Sequence, residues 1–137
     1  VLPILQKIHE PGEFCPTIKD VRKWHGVLNE AVFDGVVPKF YDIVIVDKLP
    51  RQFAATMALK DKKVPDKRFA RLEINPRFPS FKKFIIILIH EMIHCWQWIC
   101  ENRMDHGKTF FQWKEKLKDQ GIPLSEKYHR KFLDIPE

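Results

Sequence analysis

The run Phe84–Cys100 (FIIILIHEMIHCWQWIC) constrains this chain more than any other stretch. Its apolar residues fall on every side of a helix, so a helix built from it must be surrounded by protein or by lipid. His90, Glu91, His94 and Gln97 lie within the run, and the apolar part ahead of them is too short to cross a bilayer, so lipid immersion is costly. It is therefore read as the buried central helix of a globular domain, from about Phe81 to Glu101, with Ser80 as its cap after Pro76 and Pro79. No membrane partner is expected. At 137 residues the chain is the size of one domain and can bury such a helix without disulfide or metal staples.

Three titratable groups inside an apolar helix need a reason, because burying them unpaired costs several kcal/mol. Residues 90–94 read His-Glu-Met-Ile-His. Histidines four apart lie one helical turn from each other, so both imidazoles can reach one metal ion, while Glu91 stands beside that ion without having to ligate it. A zinc ion so held acidifies water, and an adjacent carboxylate can take the proton and hand it to a leaving amine. Glu91 is accordingly the candidate catalytic base, and His90 and His94 are candidate metal ligands.

A catalytic zinc takes three protein ligands and leaves one position open, so a third ligand is sought. His106 is preferred. At about 100° per residue, Phe110, Trp113 and Leu117 fall within roughly 40° of it, on the face that a following helix must turn inward. Glu115 comes out about 180° away, toward solvent, and stands as the alternative. Glu101 shares the face of His94 but lies about 10 Å further along the axis.

Around this helix the pattern is α+β. Residues 1–16, with Pro3, Pro11, Gly12 and Pro16, read as an irregular lead-in, and residues 17–137 as a single domain. Thr17 and Asp20 form a capping box for a helix whose Ile18, Val21, Leu28 and Val32 share a face until Asp34-Gly35. Tyr41–Val46, Phe53–Leu59 and Ala70–Ile74 read as three short strands of a small sheet. A helix is predicted over Gly107–Gln120, stopped by Gly121, and a short one over Ser125–Phe132.

The three cysteines, Cys15, Cys95 and Cys100, lack metal-knuckle or redox spacing and suit a reducing compartment, so a cytoplasmic location is expected, or a nuclear one in a eukaryote, rather than secretion. A monomer is expected. His9, His25 and His129 read as surface or packing residues. The net charge of +6 comes from residues 51–100, and Lys60–Arg71 (KDKKVPDKRFAR) holds six basic residues against two acidic ones. Such a segment is either an electrostatic footprint for an anionic partner or a solvated hairpin tip.

The residues His90-Glu91-Met92-Ile93-His94, the triplet Asp105-His106-Gly107 followed by Phe110, and Trp24–Gly35 (WHGVLNEAVFDG) together resemble the SprT-like zinc metalloprotease family, over about residues 17–122. The resemblance implies a minimal zincin-like domain, a three-stranded sheet packed on the metal-binding helix, with one catalytic Zn2+ and an extended protein substrate added to an exposed strand edge. By that analogy Arg71, Leu72, Glu73 and Ile74 are the expected substrate-binding edge. It also implies DNA as a partner, since members act on DNA–protein crosslinks; Lys60, Lys62, Lys63, Lys67 and Arg68 would then contact nucleic acid. The segment departs from a single-strand stacking platform in that Phe69 is its lone aromatic, and no cysteine spacing for the zinc ribbon of many relatives is found.

Three functions compete at this point. The first is a zinc endopeptidase acting on DNA-bound or DNA-crosslinked proteins, the second a zinc peptidase with an unrelated cytosolic protein substrate. The third is a non-catalytic DNA- or protein-binding module with structural zinc, against which Glu91 speaks, since a structural site has no use for an acid beside its ligands.

Overall fold

The computed structural model describes residues 12–47, 52–64 and 66–124. The expected helix at Ser125–Phe132 lies outside them, as does most of the lead-in. Within them the chain is α+β, with the order α1 (Ile18–Val32), β1 (Asp42–Ile45), β2 (Ala54–Lys60), β3 (Arg68–Ile74), α2 (Phe81–Glu101), α3 (Lys108–Phe111) and α4 (Lys114–Asp119).

The capping box forms as expected: Thr17 Oγ1 accepts from the Asp20 amide at 3.1 Å, and Asp20 Oδ2 accepts from the Thr17 amide at 2.9 Å. Val21, His25, Leu28 and Val32 make the buried face, whereas Ile18 is exposed. Asp34 and Gly35 both take positive φ, ending the helix in a left-handed turn. Asn29 then fastens the returning chain by accepting from the Val37 amide at 3.0 Å and donating to the Val37 carbonyl at 2.9 Å.

The sheet is mixed, ordered β1-β3-β2, with β1 parallel and β2 antiparallel to β3. This overturns the expectation that residues 71–74 form an open edge. Arg71, Leu72, Glu73 and Ile74 pair with Asp42–Ile45 on one side and with Ala54–Met57 on the other, so the backbone groups of the central strand are already engaged. The edge strands are β1 and β2. Ala70, Leu72 and Ile74 point to the core while Phe69, Arg71 and Glu73 alternate toward the opposite face.

α2 has the predicted limits. Ser80 Oγ accepts from the Lys83 amide at 3.2 Å at its start, and Asn102, at φ 53°, closes it in a left-handed turn. Phe84–Ile89, Met92, Ile93 and Cys95 are buried, so this helix, apolar and long enough to span a membrane, is largely enclosed by the protein itself. α1 and the inner face of the sheet pack on it. Phe14 exchanges two backbone hydrogen bonds with Phe78 and stacks within 4.9 Å of Phe81 and Phe84, which gives the end of the expected lead-in a place in the core. The helix expected over 107–120 is interrupted at Gln112–Trp113 into α3 and α4. Phe110 and Leu117 still face inward, as the periodicity requires.

Candidate metal centre

One turn of α2 brings the His90 and His94 rings side by side, their Nε2 atoms 3.2 Å apart. The chain leaves α2 through the Asn102 turn and returns along the helix end, carrying His106 back to the pair. His106 Nε2 lies 3.1 Å from that of His94 and 3.3 Å from that of His90. Ligands 2.0–2.1 Å from a tetrahedral ion stand about 3.3 Å apart, so this triangle has the dimensions of one face, three of the four corners, of such a site. The His94 and His90 rings are buried and His106 is exposed, which leaves the fourth position on the solvent side.

Protonation supports the same reading. Burial pushes His94 down to about 4, with a bond from Gln97 opposing and His106 adding to the depression. His94 is therefore neutral at physiological pH, and its Nδ1 lies 2.9 Å from Gln97 Oε1. With the proton on Nδ1, the Nε2 lone pair points at the other two rings. A cation placed among the three Nε2 atoms would accept that lone pair. Phe110 closes the floor: its ring centroid is 4.9 Å from those of His90 and His106 and 5.2 Å from that of His94.

Glu91 is 6% exposed and turns toward β2, where the Thr56 hydroxyl reaches its Oε1 at 2.8 Å and its backbone carbonyl at 3.1 Å. Burial pushes the Glu91 carboxyl up to about 7, and hydrogen bonds to the carboxyl from the Thr56 hydroxyl and from the Thr56 backbone pull it back. A carboxyl poised near neutrality can both accept and return a proton. Thr56 was not singled out in the sequence; its role depends on strand pairing that no local motif records.

The structure gathers His90, His94 and His106, with Glu91 adjacent in the chain, and leaves Glu115 and Glu101 exposed elsewhere. Residues 71–74 do not offer an edge, as described above. The basic segment divides. Arg68 is turned inward, donating to the Trp98 carbonyl at 2.8 Å and the Ile99 carbonyl at 2.9 Å, so it caps the end of α2 instead of facing a ligand. Lys62 and Lys63 are exposed at the hairpin tip. Lys60 stands 5.5 Å over the Trp98 ring and Lys67 5.4 Å over Phe69. Phe69 is not alone: Tyr41, 68% exposed, stacks on it at 5.0 Å across the strands.

The model of the SprT-like family matches residues 21–129 of this chain, a span that includes most of α1, the sheet, all three histidines of the triangle and Glu91.

Proposed function

The chain belongs to the SprT-like family, which is associated with metalloprotease activity, and from that premise we propose that it is a zinc-dependent endopeptidase of the zincin type acting on proteins held on DNA. The observation that carries the reading is the triangle of three Nε2 atoms with Glu91 beside it. Neutral nitrogen ligands, a set of three and an open fourth side suit zinc in a catalytic rather than a structural role. A zinc ion held by His90, His94 and His106 would supply Lewis acidity toward water and toward the scissile carbonyl.

The protein residues have separate tasks. Glu91, oriented by Thr56, accepts a proton from the attacking water and returns it to the leaving amine. The substrate backbone adds to β2, Ala54–Lys60, which has an unpaired side among the described residues and carries Thr56 against the metal helix. Main-chain pairing reads no side-chain sequence, so selectivity would come from where the enzyme is held. Lys67 with the Tyr41–Phe69 stack, and the exposed Lys60, Lys62 and Lys63, favour a nucleic acid as that anchor.

The test is cleavage of a DNA-binding protein by zinc-loaded enzyme, with and without single-stranded DNA, beside Glu91→Gln. Cleavage that needs Glu91, rises with DNA and fades with salt is expected. Full turnover in Glu91→Gln sinks the peptidase assignment, and cleavage indifferent to DNA moves the substrate to another cytosolic protein.

A further inference from the structure

The Gln97 side chain is fully buried, and its surroundings settle how it is oriented. Its Nε2 lies 2.9 Å from Thr109 Oγ1 and 3.3 Å from Asp105 Oδ1, while its Oε1 lies 2.9 Å from His94 Nδ1 and 3.4 Å from the Asp105 amide nitrogen. A carboxylate oxygen only accepts and a backbone amide only donates, so the NH2 must face Thr109 and Asp105 and the carbonyl must face His94. His94 then has one option: it carries its proton on Nδ1. The Gln97 backbone carbonyl also accepts from the amides of Asn102 and Arg103, the residues that turn the chain back.

We propose that Gln97 is the positioning residue that assembles the metal centre, holding His94 in the ligating tautomer with its carbonyl and clasping the loop that delivers His106 with its amide NH2. The inference rests on the metal reading above. α2 runs about two further turns past His94 before the chain reverses, so His106 reaches the site only if the returning loop is held against that extra length of helix. Within that length Gln97 touches both the second ligand and the loop. Asp105 Oδ1 joins it to the ligand segment itself by also accepting from the Gly107 amide at 3.0 Å, across His106.

The test compares Gln97→Met, Gln97→Glu and Thr109→Val with the unaltered chain. Three quantities are read: zinc affinity by competition with a chromogenic chelator, the nitrogen chemical shifts of the His94 ring in chelator-treated protein, and melting of that same protein. Gln97→Met should bind zinc about 10–100-fold more weakly and show His94 as a tautomer mixture. Gln97→Glu keeps the acceptor for His94 but sets a carboxylate against Asp105, so the tautomer should survive while affinity falls. Thr109→Val should lose about 2–10-fold in affinity with little change in melting. Unchanged zinc affinity in Gln97→Met, or in the other two variants if Gln97→Met does not fold, overturns the clasp. An unaltered His94 tautomer in Gln97→Met, or affinity losses that merely follow melting losses, also overturns it. An unaltered chain that binds no zinc removes the metal reading instead, and turnover in Glu91→Gln bears on catalysis alone.

Discussion

Phe110→Ala should be the single most damaging substitution near the site, and its cost follows from the packing. Phe110 is fully buried, with its ring about equidistant from the three histidine rings and 5.0 Å from Phe111. Emptying such a position removes transfer energy and leaves a cavity the neighbours fill only in part, a loss of about 3–5 kcal/mol. With roughly 2.1 cal/mol/K of unfolding entropy per residue, a chain of 137 residues carries about 290 cal/mol/K, so the melting temperature should fall by about 10–17 °C. The assay is calorimetry of chelator-treated protein, repeated with zinc. Because the cavity opens under the tripod, the increment of stability that zinc gives should shrink as well, since that increment tracks affinity. A melting temperature within about 3 °C of the unaltered protein would mean less than about 1 kcal/mol lost, too little for a filled core position. That result would refute the floor assigned to Phe110 and the inward turn of α3.

His106→Ala should weaken zinc retention far more than Glu115→Ala, measured by dialysis against a chelator; the reverse order would move the third ligand. Thr56→Val, nearly isosteric, removes a hydrogen bond to a charged group worth about 1.5–3 kcal/mol. Peptide turnover should drop about 10–100-fold with zinc content unchanged, and unaltered turnover would show that Glu91 orients itself. Burial holds His25 below its ordinary 6.5, with its Nε2 on the Pro38 carbonyl at 3.0 Å. The unfolded chain therefore binds a proton below about pH 6.5 that the folded chain refuses, and stability declines as pH falls through that range. In the zinc-loaded protein, denaturant titrations from pH 7.5 to 5 should show this decline in the unaltered chain and a shallower one in His25→Gln; parallel curves would contradict it.

How much of this was legible in sequence depends on whether the relevant contact is local. α2 was read to its limits because Ser80, the apolar run and the end of the periodicity are all neighbours in the chain. The three strands and the inward turn of Phe110 and Leu117 were legible for the same reason, whereas His106, exposed and ahead of α3, reaches the other two histidines from the returning loop. Strand order was not. Residues 71–74 look like an edge only until β1 is known to run parallel beside them, a pairing set by the connection through β2 rather than by any residue within the strand. The same crossing brings Tyr41 onto Phe69 and so supplies the aromatic partner that the segment itself lacks. Arg68 counts as one more charge in a basic run until the fold sets it against the carbonyl end of α2. Gln97 appears in the sequence only as a polar residue within an apolar run, with no sign that all its polar atoms are used.

The placement of the site on the most buried helix has a physical consequence. His90, Glu91, His94 and Gln97 would each destabilise the core if left unpaired, by about 1–3 kcal/mol apiece. Three other parts of the chain meet them there: β2 through Thr56, the returning loop through Asp105, and α3 through Thr109 and Phe110. Packing thus fixes the orientation of the histidines and of Glu91 by the same contacts that hold the core together. Beside these contacts the three Nε2 atoms converge, at 3.1–3.3 Å from one another. A divalent cation would find its three nitrogen ligands already brought together there. Metal binding to this fold should therefore stabilise it without reshaping it, and the site should be geometrically complete before the ion arrives.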